Sequence, residues 1–358
     1  MTTASVQKMP MRGVLYALLA SVLFGLTTPL SKALLREIDP VLLAGLFYLG
    51  SGVGLAITRF IISRVRDEHL AQPKLKKADW KFLAPAILAG GVLAPVLLMS
   101  GLTSTPASVA SLLLNTEGIF TAVIAWVVFK ENYDRRILLG MVAIVVGGIL
   151  LSIQPSDNST VSVASLLIIG ACLCWGIDNN FTRKVSSADA MQIACLKGLV
   201  AGCANTTLAI MTAKQFPPVS EFSTALTVGF LGYGISLVLY VLSLRHIGAA
   251  RTGAYFAVAP FVGSLVSLAI FSEPVTMQLI GAGIFMGIGL WLHVTEHHSH
   301  EHVHEAIEHD HEHVHDEHHQ HKHLPGDPVG EPHVHSHRHD RIIHDHPHFP
   351  DQYHQHPH

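Results

Sequence analysis

Three ionisable side chains stand inside long apolar runs that are otherwise nearly free of charge. They are Glu117, beside Asn115 and Thr116; Asp178, followed by Asn179 and Asn180; and Lys197. An ionisable group at membrane depth costs about 2.5–3.5 kcal/mol on insertion scales, so it marks a functional site by default. A carboxylate there can carry a proton, neutralise an organic cation or ligate a metal. Glu117 and Asp178 are therefore the candidates for a coupling proton or a cationic substrate, with Lys197 as counter-charge. The structural alternative is an ion pair between Lys197 and Asp178 that joins two helices. Trp175 and Tyr255 can stack on a substrate or simply pack between helices. Cys172 and Cys174 are two residues apart, which on a helix points them in different directions, so they make no metal pair.

A second constellation occupies the end of the chain. Of 26 histidines, 23 lie in residues 297–358. They recur as HxH runs at His300, His302, His304; His309, His311, His313, His315; His333, His335, His337, His339; and His344, His346, His348, interleaved with Asp and Glu. Neutral imidazole suits zinc, nickel, cobalt or copper, and carboxylates can complete a shell. With almost nothing apolar to bury, residues 295–358 are expected to be disordered when empty and to gather divalent metal ions.

The elements that must position the first set are transmembrane helices. The composition is 49% hydrophobic and 14% charged, against about 25% charged in soluble domains. Ten apolar runs are long enough, or nearly so, to cross a bilayer: 13–35, 40–58, 82–102, 106–129, 137–153, 161–182, 190–213, 222–244, 252–272 and 275–294. Backbone groups in lipid must be satisfied within the segment, which favours helix. Basic residues test the count independently. Arg59, Arg64, Arg66, Lys74, Lys76, Lys77 and Lys81 follow the second run, and Lys130, Arg135 and Arg136 the fourth. Arg183 and Lys184 follow the sixth, and Arg245 and Arg251 the eighth, while the alternate loops hold only Lys32, Arg36 and Lys214. Basic loops stay in the cytoplasm, so both termini, including residues 1–12, are expected there.

The two halves, 13–153 and 161–294, repeat one pattern. Phe24-Gly25 through Lys32 aligns with Trp175-Gly176 through Arg183, and Thr105–Glu131 aligns with Gly248–Glu273. Five spans per half is an odd number, so the second half enters the membrane inverted, an architecture that places a site near the midplane. The string GAARTGAYFAVAPFVGSLVSLAIFSEPVTMQLIGAGIFMGIGLWL, from Gly248 to Leu292, resembles the second repeat of the EamA branch of the drug/metabolite transporter superfamily. TPASVASLLLNTEGIFTAVIAWVVFKE repeats it, with Glu131 in the closing position of Glu273. The resemblance implies ten helices in two inverted five-helix repeats and alternating-access transport of a small metabolite, usually outward. One departure stands out: Glu117 occupies the place of Pro260 in the second half.

Thr27, Thr28 and Pro29 mark a helix break in the first span. Gly198-x-x-x-Gly202 and Gly283-x-x-x-Gly287 allow close helix approach, within the bundle or in a homodimer. No P-loop or nucleotide motif is present, so an enzyme is not expected, and transport is expected to need no cofactor. The basic loops are explained by topology and membrane lipid rather than nucleic acid. The expected function is export of a small metabolite, with the metal-binding tail as regulator or buffer. Two alternatives remain: a divalent cation transporter whose tail captures its substrate, and a membrane-anchored metal buffer.

Overall fold

The computed structural model describes residues 11–65, 75–129, 135–153, 162–185, 188–212 and 214–294, and four short stretches beyond them. The apolar runs fold as helices α1 (Met11–Gly25), α2 (Thr27–Leu34), α3 (Pro40–Val65), α4 (Trp80–Ala86), α5 (Ala94–Ser104), α6 (Ala107–Leu113) and α7 (Thr116–Phe129). There follow α8 (Arg135–Ser152), α9 (Val163–Arg183), α10 (Ala190–Met211), α11 (Val219–Gly229), α12 (Ser236–Phe256), α13 (Ala259–Phe271) and α14 (Met277–Val294). Two π-helical stretches, Ile87–Leu93 and Phe230–Ile235, join α4 to α5 and α11 to α12. Among the described residues, seven apolar helical stretches are long enough to cross a membrane, and shorter ones at Leu138–Ser152, Ala259–Phe271 and Met277–Leu292 bring the total to ten. Their outward faces are apolar, with Leu15, Ile57, Phe60, Trp126, Leu139 and Leu265 each at least half exposed. An apolar exterior this extensive fits lipid rather than water.

Two ion pairs show that the repeats are inverted. Asp39 caps the start of α3, accepting from Val41 N at 2.9 Å, and its other oxygen meets Lys214 Nζ at 2.9 Å just past the end of α10. Asp189 caps the start of α10, accepting from Met191 N at 2.9 Å, and its other oxygen meets Arg59 at 2.7 Å near the end of α3. Each helix begins where the other ends, so α3 and α10 run antiparallel. They are the second spans of their halves. The remaining contacts obey the same exchange: α8 packs on α14, α5 on α9 as α1 on α12, and α7 on α9 as α1 on α13.

Glycines permit the closest of these approaches. A Cβ on Gly198 would lie 2.6 Å from Gly52 N and one on Gly202 would lie 2.5 Å from Leu49 N, so this motif is used inside the bundle against α3. Gly287 has nothing within 4 Å; α14 instead approaches α8 at Gly289, whose Cβ would lie 2.7 Å from Gly140 O. Three buried clusters result, and Tyr233 in the second π segment packs against all of them.

One boundary differs from the sequence reading. The break in the first span falls at Leu26, one residue before the Thr27-Thr28-Pro29 run, and Thr27 Oγ1 donates to Phe24 O at 2.6 Å. Ser236–Phe256 keeps helical backbone yet doubles back on itself, since the Ser243 and Thr252 hydroxyls lie 2.9 Å apart and the Tyr240 and Phe256 rings 4.9 Å, so the expected reversal between the eighth and ninth spans is present.

Residues His297–Pro350 form a second unit. Its described residues are four strands, β1 (Ser299–His304), β2 (Glu308–His313), β3 (His333–Arg338) and β4 (Ile342–Pro347). β1 pairs antiparallel with β4, and β2 with β3. The HxH alternation has the period of two that a strand repeats, and extended segments satisfy their backbone groups by pairing. His315 and His339 lie outside the described residues, as does Glu131.

Candidate transport site

The fourth span is broken at its middle. α6 ends at Leu113 and α7 begins at Thr116, leaving the last carbonyls of α6 to be satisfied locally. Asn115 Nδ2 donates to Leu112 O at 2.9 Å, Thr116 Oγ1 to Leu113 O at 2.7 Å, and Glu117 N to Leu114 O at 3.1 Å. Asn115 is thus turned back onto the break. Glu117, the second residue of α7, projects instead toward α9. Its Oε1 accepts from Asn179 Nδ2 at 2.9 Å, and Asn179 also donates to Thr121 Oγ1 at 3.1 Å. Among the described residues, Oε2 of Glu117 has no hydrogen bond and no cation sits within ion-pair distance of the carboxylate. Asn179 is exposed, and a Cβ on the adjacent Gly118 would meet nothing within 4 Å. The carboxylate therefore borders open space.

Asp178 and Lys197 meet directly. Lys197 Nζ lies 2.6 and 2.7 Å from the two oxygens of Asp178 and 3.2 Å from Thr182 Oγ1, whose hydroxyl also donates to Asp178 Oδ1 at 2.7 Å. Only 7% of the Asp178 side chain and 16% of the Lys197 side chain are exposed. At that burial each charge depends on the other. The pair joins the sixth and seventh spans and rests against the first π segment: a Cβ on Gly90 would sit 1.9 Å from Asp178 Oδ2.

That segment has a legible cause. Pro95 has no N–H, so the carbonyls about one turn before it lose their normal helical donor. The neighbouring helices supply replacements. Gly90 O accepts from Tyr48 Oη at 2.7 Å and from Trp175 Nε1 at 3.0 Å, while Asn205 Nδ2 lies 3.4 and 3.3 Å from Gly91 O and Val92 O. Trp175 is therefore a buried packing residue with its polar handle on a freed carbonyl.

An aromatic wall completes the centre of the bundle. Tyr233 stands 5.4 Å from Tyr48 and 5.8 Å from Phe47 and Phe24, measured between ring centroids. Phe256 joins Phe24 at 5.4 Å and Tyr240 at 4.9 Å. Among the described residues Tyr255 makes no hydrogen bond or ring contact with Glu117, Asp178 or Lys197; its neighbour Phe256 belongs to the wall.

The structure thus brings together Glu117 with Asn179, and Asp178 with Lys197 and Trp175. Asn115 and Tyr255 stand apart. Sequence reasoning missed Thr121, Tyr48, Tyr233, Tyr240 and Asn205. Polar groups inside apolar runs, and the Gly90-Gly91 pair four residues before Pro95, are the signals that identify them.

Ten apolar helices in two inverted repeats, with polar groups gathered at the centre, define a multi-pass membrane transporter. The chain belongs to the EamA-like transporter family, whose model matches it twice, over residues 11–153 and 162–295. It is 26% identical over 293 residues to an uncharacterized transporter of Methanothermobacter thermautotrophicus, covering 78% of this chain and 85% of that one. It is 26% identical over 309 residues to a probable amino-acid metabolite efflux pump of Salmonella typhimurium, covering 78% and 93%. The corresponding Escherichia coli protein, of the same name, is 24% identical over 313 residues, covering 79% and 94%. A solved crystal structure superposes with a TM-score of 0.57 at 15% identity, covering 78% of this chain and 94% of the other, which shows the shared fold.

Proposed function

We propose that this chain is an alternating-access secondary transporter that exports a small metabolite carrying an amino group, with both termini in the cytoplasm. The observation that carries the reading is the Glu117 carboxylate, held by Asn179 on one oxygen, with no hydrogen bond to the other among the described residues, beside open space. A carboxylate in that setting exchanges a proton for an ammonium group, and the tyrosines and phenylalanines suit an apolar substituent. The names of the Salmonella and Escherichia relatives point the same way. A metal cargo is disfavoured, because among the described residues no three His, Cys, Asp or Glu side chains converge. The tail histidines bind divalent metal as a buffer or sensor and do not feed the pore.

The test is uptake into inverted membrane vesicles from a strain lacking amino-acid exporters. A panel of radiolabelled amino acids and their amines is offered under an imposed proton gradient. Gradient-dependent uptake of an amine-bearing solute, lost in Glu117→Gln, supports the reading. Uptake of zinc, nickel or cobalt that depends on Glu117 overturns it in favour of metal transport.

A further inference from the structure

The end of the bundle that carries Lys32, Thr105 and Glu273 is closed by two contacts from different spans onto one turn. The turn is Ser104-Thr105-Pro106, where α5 ends and α6 begins. Lys32 Nζ, from α2 in the first span, reaches Leu102 O at 2.7 Å, Thr103 O at 3.1 Å and Thr105 O at 3.0 Å. Glu273, just past α13 in the ninth span, accepts from Ala107 N at 2.7 Å and Ser108 N at 2.9 Å, and its second oxygen also takes the Ser108 hydroxyl. The cation thus sits on the carbonyls that end one helix and the anion on the amides that begin the next, which is the favourable arrangement at each terminus. The chain is bent to achieve this. Among the described non-glycine residues only Ser272 has a positive φ, 50°, in a left-handed turn that ends α13 immediately before Glu273. Such a conformation carries strain of about 1–3 kcal/mol and persists only where its surroundings enforce it.

The Lys32 contact lies within the first repeat, and the Glu273 contact crosses between the repeats. Glu273 belongs to the second repeat and the turn to the first, so alternating access cannot open this end without breaking that contact. We propose that Lys32 and Glu273 form the clasp that holds the outer gate shut, acting as positioning residues for the 104–106 turn. This assignment rests on the transport reading and on its topology, which puts this end outside the cell. Each amide released on opening loses a charge-assisted partner. Opening is therefore coupled to whatever weakens the Glu273 carboxylate's hold on those amides.

The experiment reads accessibility, which needs no substrate and so fails independently of the transport reading. Ser111 is fully buried on α6, one turn inside the clasp. Ser111→Cys is placed in a background with Cys172, Cys174, Cys195 and Cys203 changed to alanine, and a membrane-impermeant thiol reagent is added to intact cells. Glu273→Gln and Lys32→Met are each expected to raise the labelling rate at least fivefold. Equal rates in well-inserted Glu273→Gln and its parent overturn the proposal. A second measurement stands if Glu273→Gln does not accumulate. Ser108→Cys with Glu273→Cys is bridged by a short bifunctional, reducible thiol reagent in proteoliposomes. Bridging is expected to stop transport and reductant to restore it. Undiminished transport through the bridged protein overturns the clasp.

Discussion

Glu117 and Pro260 hold the same position in two helices that the repeat relates: each is the second residue after a mid-membrane break, Glu117 in α7 and Pro260 in α13. Both residue types suit a first helical turn for different reasons. Proline's fixed φ fits a first helical turn and would give up only the bond from Glu117 N to Leu114 O, which closes the break rather than the helix, and glutamate is favoured by the positive end of the helix dipole. The exchange therefore costs the fold little while placing a carboxylate at the centre of a bundle that has proline at the matching site. Asn179 holds one carboxylate oxygen, and among the described residues the other accepts no hydrogen bond.

Glu117→Gln is expected to lower transport at least tenfold while membrane insertion and abundance stay near wild type, since glutamine keeps the shape and the contact to Asn179. Glu117→Pro should also accumulate, because the position tolerates proline in the other half, and should be inactive. Vesicle uptake normalised to immunoblotted protein decides both. A fully active Gln variant removes Glu117 from the mechanism.

Asp178 and Lys197 predict a different mutational signature. Removing one member strands a charge whose side chain is largely buried. Lys197→Met is thus expected to destabilise the protein by about 3 kcal/mol. The double variant Asp178→Asn with Lys197→Met should recover most of that loss and retain transport. Thermal unfolding in detergent, paired with vesicle uptake, separates this helix-joining role from a direct one. A stable but inactive double variant would assign the pair to transport itself.

Gly90 and Gly118 offer a steric contrast within one site. A Cβ at Gly90 would fall 1.9 Å from Asp178 Oδ2, whereas at Gly118 it meets nothing within 4 Å. Gly90→Ala must displace the ion pair or the π segment and should sharply reduce folded protein, measured by size-exclusion chromatography of a fluorescent fusion. Gly118→Ala should fold normally. If it narrows the space beside Glu117, it raises KM for large substrates without changing abundance.

The membrane architecture was legible in the sequence because each physical signal for it is local. Apolar run length, basic loops and the match of Trp175-Gly176 to Phe24-Gly25 need no tertiary information, and the ten spans follow from them. The Lys197–Asp178 pair was equally visible as a cost that demanded a partner. What the sequence hid depends on where neighbouring helices place their donors. Pro95 announces freed carbonyls, yet only packing reveals that Tyr48, Trp175 and Asn205 answer them. Tyr255 was named as able to stack on a substrate or pack between helices, whereas helix rotation, which composition does not encode, put its neighbour Phe256 on the wall. Glu273 was read as a closing residue of its span. Its partners, 165 and 166 positions earlier in the chain, became apparent only once the two halves were folded together.

The tail makes a prediction in pH. Imidazole ligates a metal only when neutral, and its ordinary pKa is about 6.5. Protons and metal compete for the same nitrogen, so occupancy is full above that value and falls as pH drops through it. With three imidazoles around one ion, affinity should fall by up to roughly a thousandfold per pH unit well below 6.5, because each ligand contributes one proton to the competition. Zinc titration calorimetry on purified full-length protein should give tight binding at pH 7.5 and little at pH 5.5. A version ending at Thr295 should bind no zinc tightly at either pH and should transport its solute at the wild-type rate. Binding that is flat between the two pH values excludes histidine ligation. Loss of transport on truncation would show that the tail serves the pore itself, and would return metal cargo to consideration.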